Sequence, residues 1–269
     1  MPTAGGGIMS AYRDEMELAL MMAGEAGKII LPHFRDTASL RVETKADNSP
    51  VTIADRSAEE ALRKLMEIHT PGYGVIGEEF GSVAGRSDRE WVIDPIDGTK
   101  AFIHGVPLFG TLLALLEKGR PVVGVISLPA LGQVLYASAG GGCFLDGKPC
   151  HVSSVARVED SLLLDGSATT MERLGHGPAW AALRTRAKLH RGWGDCYGHM
   201  LVACGRAEAM FDPIVSIWDV APMAVILPEA GGRFSALSGR GSITENTGIS
   251  SNGLIHEEIL RGLGQPIST

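Results

Sequence analysis

Asp94 and Asp97, in the stretch "WVIDPIDGTKAFIHG", stand three residues apart where an apolar run ends. Neighbouring carboxylates repel, so such a pair either keeps a proton or gathers a cation. Asp-Pro and Asp-Gly are also ordinary turn dipeptides, and the hexapeptide alone allows both readings. Two further acids favour the cation: Glu78 in "IGEEF" lies at the expected end of a strand, and Asp219 in "SIWDVAP" at the expected start of a helix, where the dipole suits a carboxylate. Hard divalent cations take oxygen ligands of this kind.

The rest of the chain must position these acids. With 269 residues, 45% of them hydrophobic and 20% charged, it can bury a sizeable core. A net charge of −7 argues against a nucleic-acid partner, since phosphate backbones are held by clustered Lys and Arg. It leaves room for a small phosphorylated substrate held through cations. Cys143, Cys150, Cys196 and Cys204 show no CxxC spacing, so neither a zinc site nor a redox pair is expected. "MPTAGGGIMS" lacks the basic and apolar regions of a signal, and no run approaches the ~20 apolar residues that span a bilayer. A soluble cytoplasmic protein with no membrane partner is the expectation.

Periodicity predicts a first helix from Tyr12 to Phe34, a strand at "LRVET", a polar loop at "KADNSP" and a second helix from Thr52 to His69. Ala61, Leu62, Leu65 and Ile68 are expected on that helix's buried face. A short strand runs to Glu78 and Glu79, and "EWVI" ends at Asp94, where Pro95 stops ladder pairing. Antiparallel strands follow, broken at Lys118-Gly119, Pro129 and Gly140 to Gly142. Beyond about Ser154 strands and helices alternate, with helices expected around Trp180 to Arg184, Cys196 to Cys204 and Trp218 to Ala230. The pattern divides into an N-terminal α+β part, residues 1–153, and a C-terminal mixed α/β part, residues 154–269.

In order and spacing, "GEE", "DPIDGT" and "WDVAPMAVILPEAGG" resemble the motifs of the magnesium-dependent inositol monophosphatase-like phosphatases. The resemblance runs from the first helix to Gly231-Gly232. It implies a layered α/β/α/β/α sugar-phosphatase fold, two or three Mg²⁺ ions per site and a homodimer. It further implies that Glu78, Asp94 and the carbonyl of Ile96 hold one ion, that Asp94, Asp97 and Asp219 hold a second, and that Glu78 reaches a third through water. Gly98 and Thr99 would meet the phosphate, and Thr99 would pair with Asp55 of "SPVTIADRSAEE" to orient and deprotonate the attacking water. Without the resemblance, Asp55 reads as a first-turn helix acid.

Within the family, "DPIDGTKAFIHGVPLFGTLLAL" and "RGWGDCYGHMLVACGRAEAMFDP" resemble the branch acting on histidinol phosphate. That ester carries an ammonium and an imidazole, and Asp195 and Asp212 are the acids available to face them. Trp193 or Tyr197 could pack against its ring. The plainer alternatives are that Asp195 caps a helix starting at Cys196 and that both aromatics belong to the core. An inositol monophosphate or a nucleotide 3'-phosphate is the alternative substrate. A catalytically silent metal- or anion-binding interaction protein is the rival of another class, although Glu78, Asp94, Asp97, Asp219, Asp55 and Thr99 are all in place.

Overall fold

The computed structural model describes residues 11–36, 42–44 and 50–264. Met16, Ala19, Ala23, Ala26 and Ile30 recur at helical spacing, and they are buried along one side of α1 (Arg13–Arg35). β1 (Val42–Thr44) and β2 (Pro50–Thr52) pair antiparallel. Of the expected polar loop, residues 45–49 lie outside the described ones, and Pro50 opens β2 instead of belonging to a loop. α2 (Ile53–His69) follows at once. It buries Ala54, Ala58, Leu62 and Met66, whereas Ile68 is 69% exposed. Of the expected face, Leu62 is buried and Leu65 packs on the core, but the buried side also takes in Ala54, Ala58 and Met66 and leaves Ile68 out; α2 packs against α1.

β3 (Gly74–Gly77), β4 (Gly81–Val83) and β5 (Arg89–Asp97) come next, then α3 (Thr99–Ile103). β6 (Gly110–Glu117), β7 (Arg120–Leu128), β8 (Gln133–Ser138), β9 (Gly142–Leu145) and β10 (Lys148–Pro149) form the expected antiparallel run. Together they make an eight-stranded sheet in the order β10-β9-β8-β7-β6-β5-β3-β4, with β3 parallel to β5. Alternation divides its side chains. Trp91, Ile93, Leu113, Leu115, Val123 and Val125 pack on α1 and α2, while Leu112, Ile126 and Leu128 face the other way.

The second half supplies β11 (Leu162–Asp165), α4 (Ala168–Arg173), α5 (Gly177–Arg186), β12 (Leu189–Arg191), α6 (Asp195–Ala203) and β13 (Ala209–Asp212). α7 (Ile217–Val220), α8 (Met223–Glu229), β14 (Arg233–Ser235), β15 (Gly248–Ser251) and α9 (His256–Gly262) complete it. Its five strands run β12-β11-β13-β15-β14, with β11 parallel to both neighbours. α6 and α8 lie between the two sheets, and α5 and α9 cover the far face of the smaller one. The layers are thus α/β/α/β/α. The single helix expected over Trp218 to Ala230 is two, α7 and α8, because Pro222 has no N–H to continue the helical ladder.

The α7–α8 corner rests on Gly124 of β7: a Cβ there would stand 2.7 Å from the Pro222 carbonyl oxygen and 2.7 Å from Val225 Cγ1. Gly124→Ala should therefore push the corner off the sheet and destabilise the protein by about 1–3 kcal/mol, the usual cost of overpacking. Denaturant unfolding checks this, and an unchanged midpoint would show that the corner can give way freely.

Candidate active site

In a regular strand Asp94 and Asp97 would point to opposite faces. β5 avoids this with a bulge: Asp94 pairs with Leu112 and Asp97 with Gly110, so three steps on β5 match two on β6. The expected end of pairing at Pro95 is an interruption, and the ladder resumes at Asp97. Before the bulge Trp91 and Ile93 face α1 and α2, and after it Ile96 does. Asp94 has the parity of Val92, which packs against Ala221, Ile217 and Trp218 around α7. The side chain of Asp94 thereby points toward the helix that carries Asp219. Asp94, Asp97 and Asp219 each bring a carboxylate oxygen within 4.8 Å of the others.

Each acid is aimed by a backbone amide. Asp94 Oδ1 accepts from the Ile96 N–H at 3.0 Å, and Asp97 Oδ2 from the Cys196 N–H at 2.5 Å. Asp219 Oδ2 accepts from the Ser216 N–H at 2.7 Å as part of a capping box at the start of α7. Burial, then the charges of Glu78, Asp97 and Asp219, hold the Asp94 carboxyl well above its ordinary value. Burial, then Asp195 and Asp219, do the same for Asp97 against the Cys196 hydrogen bond. Asp219 is pushed up to about 7, chiefly by burial. Three acids forced together in this way fit a divalent cation, which would supply the missing positive charge and favour their ionised forms.

Glu78 follows β3 directly, its N–H donating to the Ile93 carbonyl at 3.3 Å. The residue that sets this turn was missed in the sequence. Glu59, fully buried on α2, accepts from the Glu79 N–H at 2.8 Å and the Phe80 N–H at 3.1 Å, and pairs with Arg63 at 2.8 Å. Its signal was the i, i+4, i+8 series Asp55, Glu59, Arg63 on one helical face.

Gly98 has φ +83°, which glycine adopts without penalty, and it caps α3. Thr99 begins that helix, and its hydroxyl donates to the Ile96 carbonyl at 2.9 Å. It does not bond Asp55, whose Oδ2 accepts from the N–H and hydroxyl of Thr52 at 2.8 and 2.6 Å in a second capping box. Asp55 is 1% exposed, and burial, seconded by Glu78, raises its pKa against those two bonds. α3 packs on β2, so Thr99 and Thr52 belong to adjoining elements.

On the opposite side, α6 begins at Asp195 itself, with Gly194 in the cap position. Asp195 is therefore not the cap. Its backbone has φ +54°, a conformation Asp tolerates better than most residues. Its Oδ2 lies 3.3 Å from where a Cβ on Gly98 would stand. Burial and the charge of Asp212 lift Asp195 to about 6, opposed by Lys100 and His199. Asp212 ends β13, 3.5 Å from His199 Nε2. Trp193 is 40% exposed just before α6, whereas Tyr197 packs on the core between the sheets.

Raised carboxyl values make a prediction about pH. Metal-stripped protein should lose stability as pH rises from about 4, where unfolded carboxylates ionise, through the value of about 7 at Asp219, because the folded state holds protons that the unfolded chain has released. Saturating Mg²⁺ should raise Tm more at pH 8 than at pH 5.5, since it binds the ionised cluster. Thermal melts with and without EDTA measure this. An equal Mg²⁺ effect at both pH values would remove the cluster as the binding site.

The inositol monophosphatase family profile matches residues 13–266. A histidinol-phosphatase of Chlorobaculum parvum is 44% identical over 254 residues, covering 93% of this chain and 96% of that protein. A histidinol-phosphatase of Mycobacterium tuberculosis is 39% identical, covering 93% and 98%. The solved structure of an inositol monophosphatase from Zymomonas mobilis superposes with a TM-score of 0.84 at 33% identity, covering 95% of this chain and 100% of that one. With the layers, the bulged strand and the clustered acids as described, the chain belongs to the inositol monophosphatase family of metal-dependent phosphatases.

Proposed function

We propose that the protein hydrolyses L-histidinol phosphate to L-histidinol and phosphate with Mg²⁺, and that the observation carrying this reading is the convergence of Asp94, Asp97 and Asp219 beside the Gly98-Thr99 turn. Glu78, Asp94 and the Ile96 carbonyl would hold one ion, and Asp94, Asp97 and Asp219 a second, with Glu78 serving a third through water. When bound, the ions neutralise charge on the phosphate and make water a better nucleophile.

The chain's own part is orientation and proton transfer. The turn at Gly98 brings backbone close to the phosphate, and the Thr99 hydroxyl faces the attacking water. Asp55, raised by burial, is suited to receive a proton passed through Thr99. In the present arrangement that hydroxyl donates to Ile96, so the relay requires it to turn to Asp55. The Ile96 carbonyl is also a proposed ligand, and its two lone pairs have room for both the hydroxyl and an ion.

Relatives bearing the name histidinol-phosphatase support the substrate, and so does the acidic side of the cleft. A buried carboxylate facing an ammonium or imidazolium favours a cationic ester, while a neutral polyol would leave it unpaired. Asp195 and Asp212 would take that role, and the exposed ring of Trp193 would lie along the imidazole. Tyr197, packed on the core, supports α6 from below. Hydrolysis of inositol 1-phosphate is the second reading, favoured by a relative named inositol-1-monophosphatase in Mesorhizobium japonicum, 30% identical over 262 residues. We assign the protein to a cytoplasmic homodimer with no nucleic-acid partner, and the two-part division at residue 153 as its organisation.

Thr99→Ala should lower kcat by about 10²–10⁴ with Mg²⁺ affinity nearly unchanged, and Asp55→Asn should act on the same step. The double mutant should lose little beyond either single one, and additive losses would show two independent residues. On substrate, kcat/KM for L-histidinol phosphate should stand well above that for inositol 1-phosphate or adenosine 3',5'-bisphosphate in a phosphate-release assay. Asp195→Asn should raise KM for histidinol phosphate while leaving p-nitrophenyl phosphate nearly untouched. A wild-type preference for the inositol ester would overturn the substrate and leave the phosphatase standing.

A further inference from the structure

Spacing in sequence gave no redox pair among the cysteines, yet the fold gathers three of the four at a place away from the acidic cleft. Cys150 Sγ lies 3.5 Å from Cys143 Sγ and 3.9 Å from Cys204 Sγ. Cys143 is on β9, Cys150 directly follows β10, and Cys204 closes α6. The fourth, Cys196, is buried at the opposite end of α6.

The hairpin register settles which pair can bond. Leu145 faces Lys148 and Phe144 faces Pro149, so Cys143 faces Cys150, whose N–H donates to the Cys143 carbonyl at 3.0 Å. Residues opposed in an antiparallel ladder have Cα atoms about 4.5–5.5 Å apart, within the roughly 4.4–6.8 Å that a disulfide spans. The sulfurs are already in contact.

Access and charge distinguish the three. Cys143 is 2% exposed, whereas Cys150 and Cys204 line a cleft of about 440 Å³ with Lys148, His151 and Arg206 around it and Asp146 as the one acid in its lining. In its thiol form Cys150 donates to the Ala203 carbonyl at 3.6 Å. As a thiolate it would accept from both neighbouring thiols, and those bonds, followed by the charges of His151 and Arg206, pull its pKa below the ordinary thiol value against the effect of burial. Hydrogen bonding to Cys150 and burial raise Cys143 and Cys204. A partly exposed thiol among cations, beside a second sulfur that can resolve it, is the arrangement of a peroxide-reactive cysteine.

We propose that Cys150 and Cys143 form a reversible disulfide driven by a hydroperoxide, with Cys150 reacting first and Cys143 resolving it. The Cys150 thiolate attacks a peroxide oxygen, an S–O bond forms as the O–O bond breaks, and the departing hydroxide takes a proton from solvent to leave as water. The Cys143 sulfur then attacks Cys150, the S–S bond forms, and the hydroxyl leaves as a second water with the Cys143 proton. Two electrons pass from the sulfurs to hydrogen peroxide. A dithiol returns the pair to its starting state by exchange.

The test treats the full chain with a few-fold excess of hydrogen peroxide and counts thiols after denaturation. The four free thiols should fall to two and return with dithiothreitol. Chymotrypsin can cut after Phe144, between the two cysteines, so a non-reducing peptide map should show them linked. Cys150→Ser should keep its three remaining thiols at the same dose. The double variant Cys143→Ser/Cys204→Ser, lacking both neighbouring sulfurs, should carry a sulfenic or sulfinic acid on Cys150. Four surviving thiols in the wild type, a map linking Cys150 to Cys204, or wild-type Cys150 that stops as a sulfinic acid would each overturn the assignment.

Discussion

Three carboxylates that repel one another are held within 4.8 Å by elements from both halves of the sequence, and the placement of much of the fold follows from that demand. Two of them share one strand, which is possible only because the bulge after Asp94 reverses the parity of β5. The third arrives on α7, a four-residue helix cut short by Pro222 and seated on the sheet where Gly124 leaves room for it. The opposite face of the same strand is apolar at Trp91, Ile93 and Ile96, pressed into the α1–α2 layer, with Arg89 at the strand's start paired to Glu15 of α1. Burial on that face fixes the register that brings the acids together on the other.

Helix ends solve the problem of aiming the acids. Thr52 with Asp55, and Ser216 with Asp219, form capping boxes, while the first turn of α6 gives the Cys196 N–H to Asp97. These backbone bonds satisfy donors that every helix start leaves open, and they restrain the carboxylates at the same time. The bond from the cap or first-turn amide falls on one oxygen, Oδ2, of each of these acids. Helix cap and cation ligand are therefore compatible roles for one residue, and a first-turn acid should not be discounted as a ligand because it caps.

That is also where the sequence was most and least legible. Motif order located the acids, and apolar runs broken at Lys118-Gly119, Pro129 and Gly140 to Gly142 located the strands from Gly110 to Leu145, because both are local signals. The bulge was not legible, since a proline followed by an aspartate two residues on reads equally as a strand end. The face of α2 was legible in part: Leu62 and Leu65 meet the core as expected, whereas Ala54 and Ala58 carry too little hydrophobic signal to show that they join them and Ile68 stays outside. Glu59 belongs to none of the motifs, and only its burial and the amides of Glu79 and Phe80 reveal what it holds. The Thr99–Asp55 pair came from resemblance alone, and the hydroxyl's bond to Ile96 is a detail no motif carries. The cysteine cluster depends on contacts between residues 54 positions apart, for which spacing rules have no purchase.

Asp195 shows how the substrate side is tied to the cation side. A residue with a side chain pays about 1–3 kcal/mol for a sparsely populated backbone conformation, and Asp195 holds φ +54° at the first position of α6. This backbone does two things at once: the next amide, Cys196, points at Asp97, and the Asp195 carboxylate comes to rest beside Gly98. Relaxing the strain would move both. The acid that we assign to the substrate's cationic end and the amide that aims a proposed cation ligand are consecutive residues on one rigid turn. A change in substrate preference built at Asp195 would consequently be felt at Asp97 unless the backbone were preserved, which favours Asn, similarly tolerant of positive φ, over any branched replacement at that position.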